Sequence, residues 1–164
     1  MILYHGSNIE IDKIDLNKTR RGKDFGKGFY VSADYRQAVD FAHNVIKREG
    51  SGTPTVTSFQ LDENILNQLS VKRFENYSKE WAEFVLANRK NKSDNSLHNY
   101  DIVIGPIADD NVGTQIRRLM QGFISFEAFL EEIKYCKLTF QYYFGTENAI
   151  KHLKKLWHLA RNNF

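Results

Sequence analysis

Three short segments carry hydrogen-bonding or aromatic side chains where a buried strand would otherwise be aliphatic. They are Tyr4-His5-Gly6-Ser7, Gly26-Lys27-Gly28-Phe29-Tyr30 and Thr139-Phe140-Gln141-Tyr142-Tyr143. Neutral histidine offers one donor and one acceptor, tyrosine a flat ring with a polar end, and glutamine an uncharged amide with both functions. Taken singly, each is a weak signal of a binding site. Each also has an architectural use: His5 as a core histidine satisfied by a backbone carbonyl, Tyr30 as a packed strand aromatic, Gln141 as a side chain facing solvent or capping a loop.

Other constellations are weaker. Gly22-Lys23-Asp24-Phe25-Gly26-Lys27-Gly28 has neither the glycine spacing nor the Ser or Thr after Lys that a phosphate-binding Walker loop requires. Asp109-Asp110 suits a metal or, more commonly, a helix N-cap. His43, His98, His152 and His158 have no ligand spacing with Cys or acids, so no metal is expected, and Cys136 lacks a cue for a catalytic partner. The basic loop Asn17–Lys23 suits a pyrophosphate or simply water. Lys151, Lys154, Lys155 and Arg161, with Trp157 and His158, give a final helix a basic face, either solvated or directed at an acidic partner or RNA.

The elements that must position these residues follow from periodicity and turn chemistry. Ile2–Tyr4 reads as a buried strand ending in the loop His5-Gly6-Ser7-Asn8, and residues 9–27 as a long polar loop. The stretch Phe29–Ser32 predicts a strand, and Asp34 caps a helix with Ala38, Phe41, Ala42, Val45 and Ile46 at helical spacing. Strands are expected at Thr55–Leu61, Val71–Phe74, Asp101–Ile107 and Leu138–Phe144. Helices are expected after Ser78, Asp109 and Ser125, with Gly122 separating the last two. A basic amphipathic helix from Thr146 is expected to close the chain, turning Ile150, Leu153 and Trp157 inward. Strands interspersed with helices, without regular βαβ alternation, predict an α+β fold with a mixed sheet flanked by helices.

Composition sets the outer bounds. With 164 residues, 41% hydrophobic, 26% charged and 2 Pro, the chain is expected to form one domain over residues 1–164, which excludes long disorder and tandem domains. A formal charge of +3 is too small to imply nucleic-acid binding by bulk electrostatics. No apolar run approaches the roughly 20 residues of a spanning helix, the start lacks a signal-peptide pattern, and the lone Cys136 suits a reducing compartment. A soluble, unprocessed cytoplasmic protein without membrane contact is expected.

The order of the three segments resembles the signature strands of the ADP-ribosyltransferase fold in its His-Tyr-Glu branch, which includes diphtheria-type toxins and poly(ADP-ribose) polymerases. The resemblance spans most of the chain and implies a split mixed sheet. It implies that His5 contacts the adenine-side ribose of NAD with Ser7 beside it, that Gly6 pairs through its backbone with the nicotinamide amide, and that Tyr30, in the motif opened by Gly28, stacks on nicotinamide. Phe41 matches the aromatic that closes the other face of the ring. The departure is Gln141, which stands where the family carries a catalytic Glu. With Asp101-Ile102-Val103-Ile104-Gly105-Pro106, the pattern resembles a smaller bacterial family of transferase-like domains of unknown function, in which a Gln at this strand is usual and some members act as toxins.

The resemblance therefore implies an NAD-dependent mono-ADP-ribosyltransferase using NAD as substrate and no metal. Its acceptor would be protein, RNA or DNA. A bacterial toxin or phage-defence effector of this kind implies an antitoxin protein as partner. The alternatives are a catalytically silent NAD-binding module and an RNA-binding module using the basic final helix.

Overall fold

The structure, a computed structural model, describes residues 1–156. Short runs of β-branched and aromatic residues form one seven-stranded sheet: β1 (Ile2–Ser7), β2 (Phe29–Ser32), β3 (Thr55–Gln60), β4 (Val71–Arg73), β5 (Ile102–Pro106), β6 (Phe140–Phe144) and β7 (Lys154–Leu156), in the spatial order β4-β5-β6-β2-β1-β3-β7. The β4–β5 pair is parallel and every other neighbouring pair antiparallel, so the sheet is mixed and the fold α+β.

Among the described residues five α-helices flank the sheet: α1 (Tyr35–Glu49), α2 (Lys79–Lys90), α3 (Asp110–Met120), α4 (Phe126–Ile133) and α5 (Glu147–Ile150). Asp34, Ser78, Asp109, Ser125 and Thr146 precede them, and each side chain accepts a hydrogen bond from a backbone N–H of the first turn. Asp109 takes the capping role that the sequence offers it. Its Oδ1 caps α3 through the Val112 N–H at 2.9 Å.

Side chains alternate along strands, so each face of the sheet acquires its own core. Leu3, Phe29, Val31, Phe59, Ile104 and Phe144 belong to one, against which α5 packs Ala149 and Ile150. Val103 and Tyr143 belong to the other, together with Trp81 and Val85 of α2, Ile116 of α3 and Phe129 of α4. On this second face α1 covers β1 and β3. A gap remains between α1 and the start of α3.

Two expectations need correction. The first strand does not stop at Tyr4: β1 continues through Ser7 because β3 offers a full ladder from Ile2↔Gln60 to Ser7↔Thr55. His5, Gly6 and Ser7 are strand residues. The closing helix is also replaced. After the four residues of α5 the chain extends into β7, which pairs with β3 and covers its outer edge. Burial of Leu153 and the Lys155 ion pairs to Glu10 (2.9 Å) and Asp12 (2.8 Å) hold it there. Lys154 and Lys155 therefore form no helical basic face, while Trp157, His158 and Arg161 lie outside the described residues. Among the described residues no helix is long and apolar enough to cross a membrane.

Candidate functional site

The gap beside α1 holds a cavity of about 490 Å³. Tyr4 and Gly6 of β1, Tyr30 of β2, Phe41 of α1, Gln141 of β6 and the loop residues Lys23 and Asp24 line it. It opens where two strands part: β1 pairs with β2 only at Tyr4↔Ser32, although it pairs with β3 along its whole length.

Tyr30 is fixed at both ends. Its hydroxyl donates to the Gly26 carbonyl (2.7 Å) and accepts from the Phe25 N–H (3.0 Å), which ties the loop before β2 to the sheet. Burial pushes its phenol well above the ordinary tyrosine range, with the nearby Asp24 charge acting in the same direction. The ring is left as a rigid, uncharged plate. Phe41 lines the same cavity from α1. It is 38% exposed, although its helical spacing resembles that of the core positions Ala38, Ala42 and Val45.

The Lys23 ammonium sits 5.0 Å from the centroid of the Tyr30 ring and 4.9 Å from that of Phe41. Two aromatic faces thus share one cation. Burial is the main reason that the Lys23 pKa falls to about 8, with Asp24 opposing the shift and Arg48 and Arg20 adding to it. The other cations of this basic loop pair elsewhere: Lys18 lies 4.0 Å from Asp15, Arg20 pairs with Glu49, and Arg21 holds Asp94 with its Nε at 2.7 Å.

Gln141 lies on β6 between Ser32 of β2 and Gly105 of β5. Its Nε2 donates to Asp24 Oδ2 at 3.0 Å, and Asp24 Oδ1 accepts from Arg89 of α2 through Nε and Nη2, both at 2.7 Å. The sequence places Asp24 two residues before the second segment and gives it no role. Arg89 reads from sequence as one more cation in the last turn of a helix. Lys23 reads as part of a basic loop. None of the three has a spacing signal for its place, because their partners come from distant segments.

Gly6, Tyr30, Phe41 and Gln141 are thus brought together at the cavity, whereas His5, Ser7 and Gly28 are not among its lining. His5 stacks on Phe29 with centroids 4.3 Å apart, and its Nδ1 lies 2.7 Å from the Tyr30 carbonyl, bridging β1 and β2 where their ladder has opened. Ser7 Oγ donates weakly to Asn8 Oδ1 (3.4 Å). Gly28 makes room for the Tyr143 ring, whose Cε2 would lie 2.1 Å from an added Cβ.

Residues 1–155 match the family described as a protein of unknown function, DUF3990. The chain belongs to the DUF3990 family. No curated protein matches it, and no solved structure does.

In this DUF3990 chain His5 has a consequence for stability. Burial lowers its pKa from 6.5 to about 4, although the bond to the Tyr30 carbonyl opposes the shift. Between these two values the unfolded chain binds a proton that the folded chain refuses. Stability is therefore full above pH 6.5 and falls as pH drops toward 4, by about 3 kcal/mol from this group. His98, whose Nε2 lies 2.8 Å from the Phe25 carbonyl, is lowered by burial too and adds to the same slope. Urea titrations across that range are expected to show the decline, with a shallower slope for His5→Asn, whose amide keeps a donor toward Tyr30. An unchanged slope in that variant would refute the assignment.

Proposed function

We propose that this domain binds NAD, cleaves its nicotinamide–ribose bond and transfers ADP-ribose to a macromolecular acceptor, releasing nicotinamide. The observation that carries this reading is the slot between Tyr30 and Phe41, which already holds a cation against two aromatic faces. The leaving group of NAD is a flat cationic ring. It matches the slot in shape and charge, and it stacks better than an ammonium can. Four carboxylates, Asp24, Asp40, Asp109 and Asp110, line the cavity against the two cations Lys23 and Arg89, which favours a positive reacting centre.

In this reading Tyr30 and Phe41 hold the nicotinamide ring flat, and the Gly6 backbone lies beside its carboxamide. Lys23 gives up the slot and turns to the pyrophosphate; a pKa near 8 lowers the cost of moving it. The C–N bond breaks with both electrons going to the ring nitrogen, which neutralises the pyridinium and leaves positive charge on the ribose C1′. An acceptor oxygen or nitrogen then bonds to C1′ and loses its proton to solvent. Gln141 accepts a hydrogen bond from the ribose 2′-hydroxyl, and His5 contributes through the Tyr30 carbonyl by fixing β2 against β1. A cytoplasmic enzyme of this kind acts as a toxin or defence effector, restrained by an antitoxin protein.

The test is transfer of label from adenylate-labelled NAD in a nuclease-free lysate, with nicotinamide release followed in parallel. Label removed by RNase or DNase would name a nucleic-acid acceptor, and label removed by protease a protein one. A thermal shift with NAD but without nicotinamide release or label would instead support a silent NAD-binding module. Absence of any NAD binding would end the proposal.

A further inference from the structure

The third signature strand lacks a carboxylate, but the cavity does not. Asp24 reaches it from the loop before β2, and its two oxygens are divided: Arg89 occupies Oδ1 and the Gln141 amide nitrogen occupies Oδ2. A carboxylate only accepts hydrogen bonds, so it compels the NH₂ end of the glutamine to face it, and the Pro106 carbonyl, 3.5 Å from the same nitrogen, acts in the same sense at longer range. The amide oxygen is then the end left for a ligand.

We infer that Asp24 and Gln141 act as one divided carboxylate, with Asp24 the positioning residue that turns the Gln141 amide oxygen toward the sugar hydroxyl and keeps a negative charge one hydrogen bond behind it. This rests on the NAD-cleaving reading above. Arg89 anchors the far oxygen and so prevents Asp24 from rotating away. The chain Arg89–Asp24–Gln141 polarises the amide toward the ligand, as consecutive hydrogen bonds in a partly buried site do. Gln141 thus supplies the acceptor atom that a glutamate would, while the formal charge resides on a different segment.

The arrangement makes an order of activities that a lone catalytic glutamine would not. Asp24→Asn removes the charge and the shorter of the two contacts that orient the amide, leaving only the 3.5 Å contact to the Pro106 carbonyl, and its kcat for nicotinamide release is expected to fall about tenfold or more with a smaller change in KM. Gln141→Glu alone, although it restores the residue of the resembling family, places two carboxylates in contact and is also expected to be slower than wild type. The double variant Asp24→Asn/Gln141→Glu moves the charge to the strand and lets the asparagine amide donate to it. It is expected to recover at least half of the logarithmic loss of Asp24→Asn.

If Asp24 only braced Arg89 and the loop, the double variant would be no faster than Asp24→Asn, and that result would overturn the inference. So would wild-type kcat in Asp24→Asn, or a Gln141→Glu faster than wild type; the last decides even where Asp24→Asn fails to fold. Thermal melts with and without NAD accompany each variant. Wild-type protein that releases no nicotinamide would overturn both this inference and the reading beneath it, whereas turnover with the wrong order of variants overturns this one alone.

Discussion

Gly6→Ala is expected to unfold the domain or lift α1 from the sheet. An added Cβ would lie 1.9 Å from the Ala38 carbonyl oxygen and 2.8 Å from the Ala42 backbone nitrogen. Both are backbone atoms within α1, so no rotamer change can relieve the clash. Ala38 and Ala42 are buried, which shows how closely helix and strand approach there. Overpacking against a rigid element costs about 3 kcal/mol or more at such a contact, enough to lower Tm by roughly 10 °C in a domain of this size. A thermal melt checks it, and an unchanged Tm would contradict the helix–strand contact. Whatever survives should bind a flat ring poorly, because α1 carries Phe41. The glycine after His5 thus has an architectural reason to be present, alongside its place at the cavity.

That double duty explains what was legible in the sequence. Strands β2 to β6 and the helices opened by Asp34, Ser78, Asp109 and Ser125 are written in local chemistry, and they form where the periodicity places them. The closing segment is different. Ile150, Leu153 and Trp157 fit a helical period, but the free edge of β3 and the acids Glu10 and Asp12 lie about 100 residues or more away in the chain, and these contacts draw Lys154–Leu156 into a strand. The site divides in the same way. Tyr30 and Gln141 are visible because they interrupt apolar strands. Asp24, Lys23 and Arg89 are ordinary residues of a loop and a helix end, made distinctive only by folding, which brings Arg89 of α2 and Gln141 of β6 onto one carboxylate. His5 shows the converse: conspicuous in the sequence, it places its Nδ1 2.7 Å from the Tyr30 carbonyl, a structural contact that the sequence offered only in general terms.

Phe41→Ala is expected to separate ligand binding from stability more cleanly than any other change at the cavity. An aromatic buried in a helix–sheet core costs about 3–5 kcal/mol when truncated. Phe41 keeps 38% of its surface exposed and meets the Lys23 ammonium across the opening, so its loss should cost the fold about 1–2 kcal/mol, well short of the full core value, and move Tm by only a few degrees. Binding is another matter. Removing one of two plates leaves a bound ring stacked on Tyr30 alone and exposes its other face to water, a loss of about 2 kcal/mol, or roughly thirtyfold in affinity. Calorimetric titration of NAD or nicotinamide into both proteins measures the difference. A large fall in Tm would return Phe41 to the core, where its spacing alone would place it. Equal affinities at unchanged Tm would mean that the slot between Tyr30 and Phe41 belongs to Lys23 and to no ligand. The expected pattern, weak binding by a well-folded variant, requires that α1 present this ring to a guest.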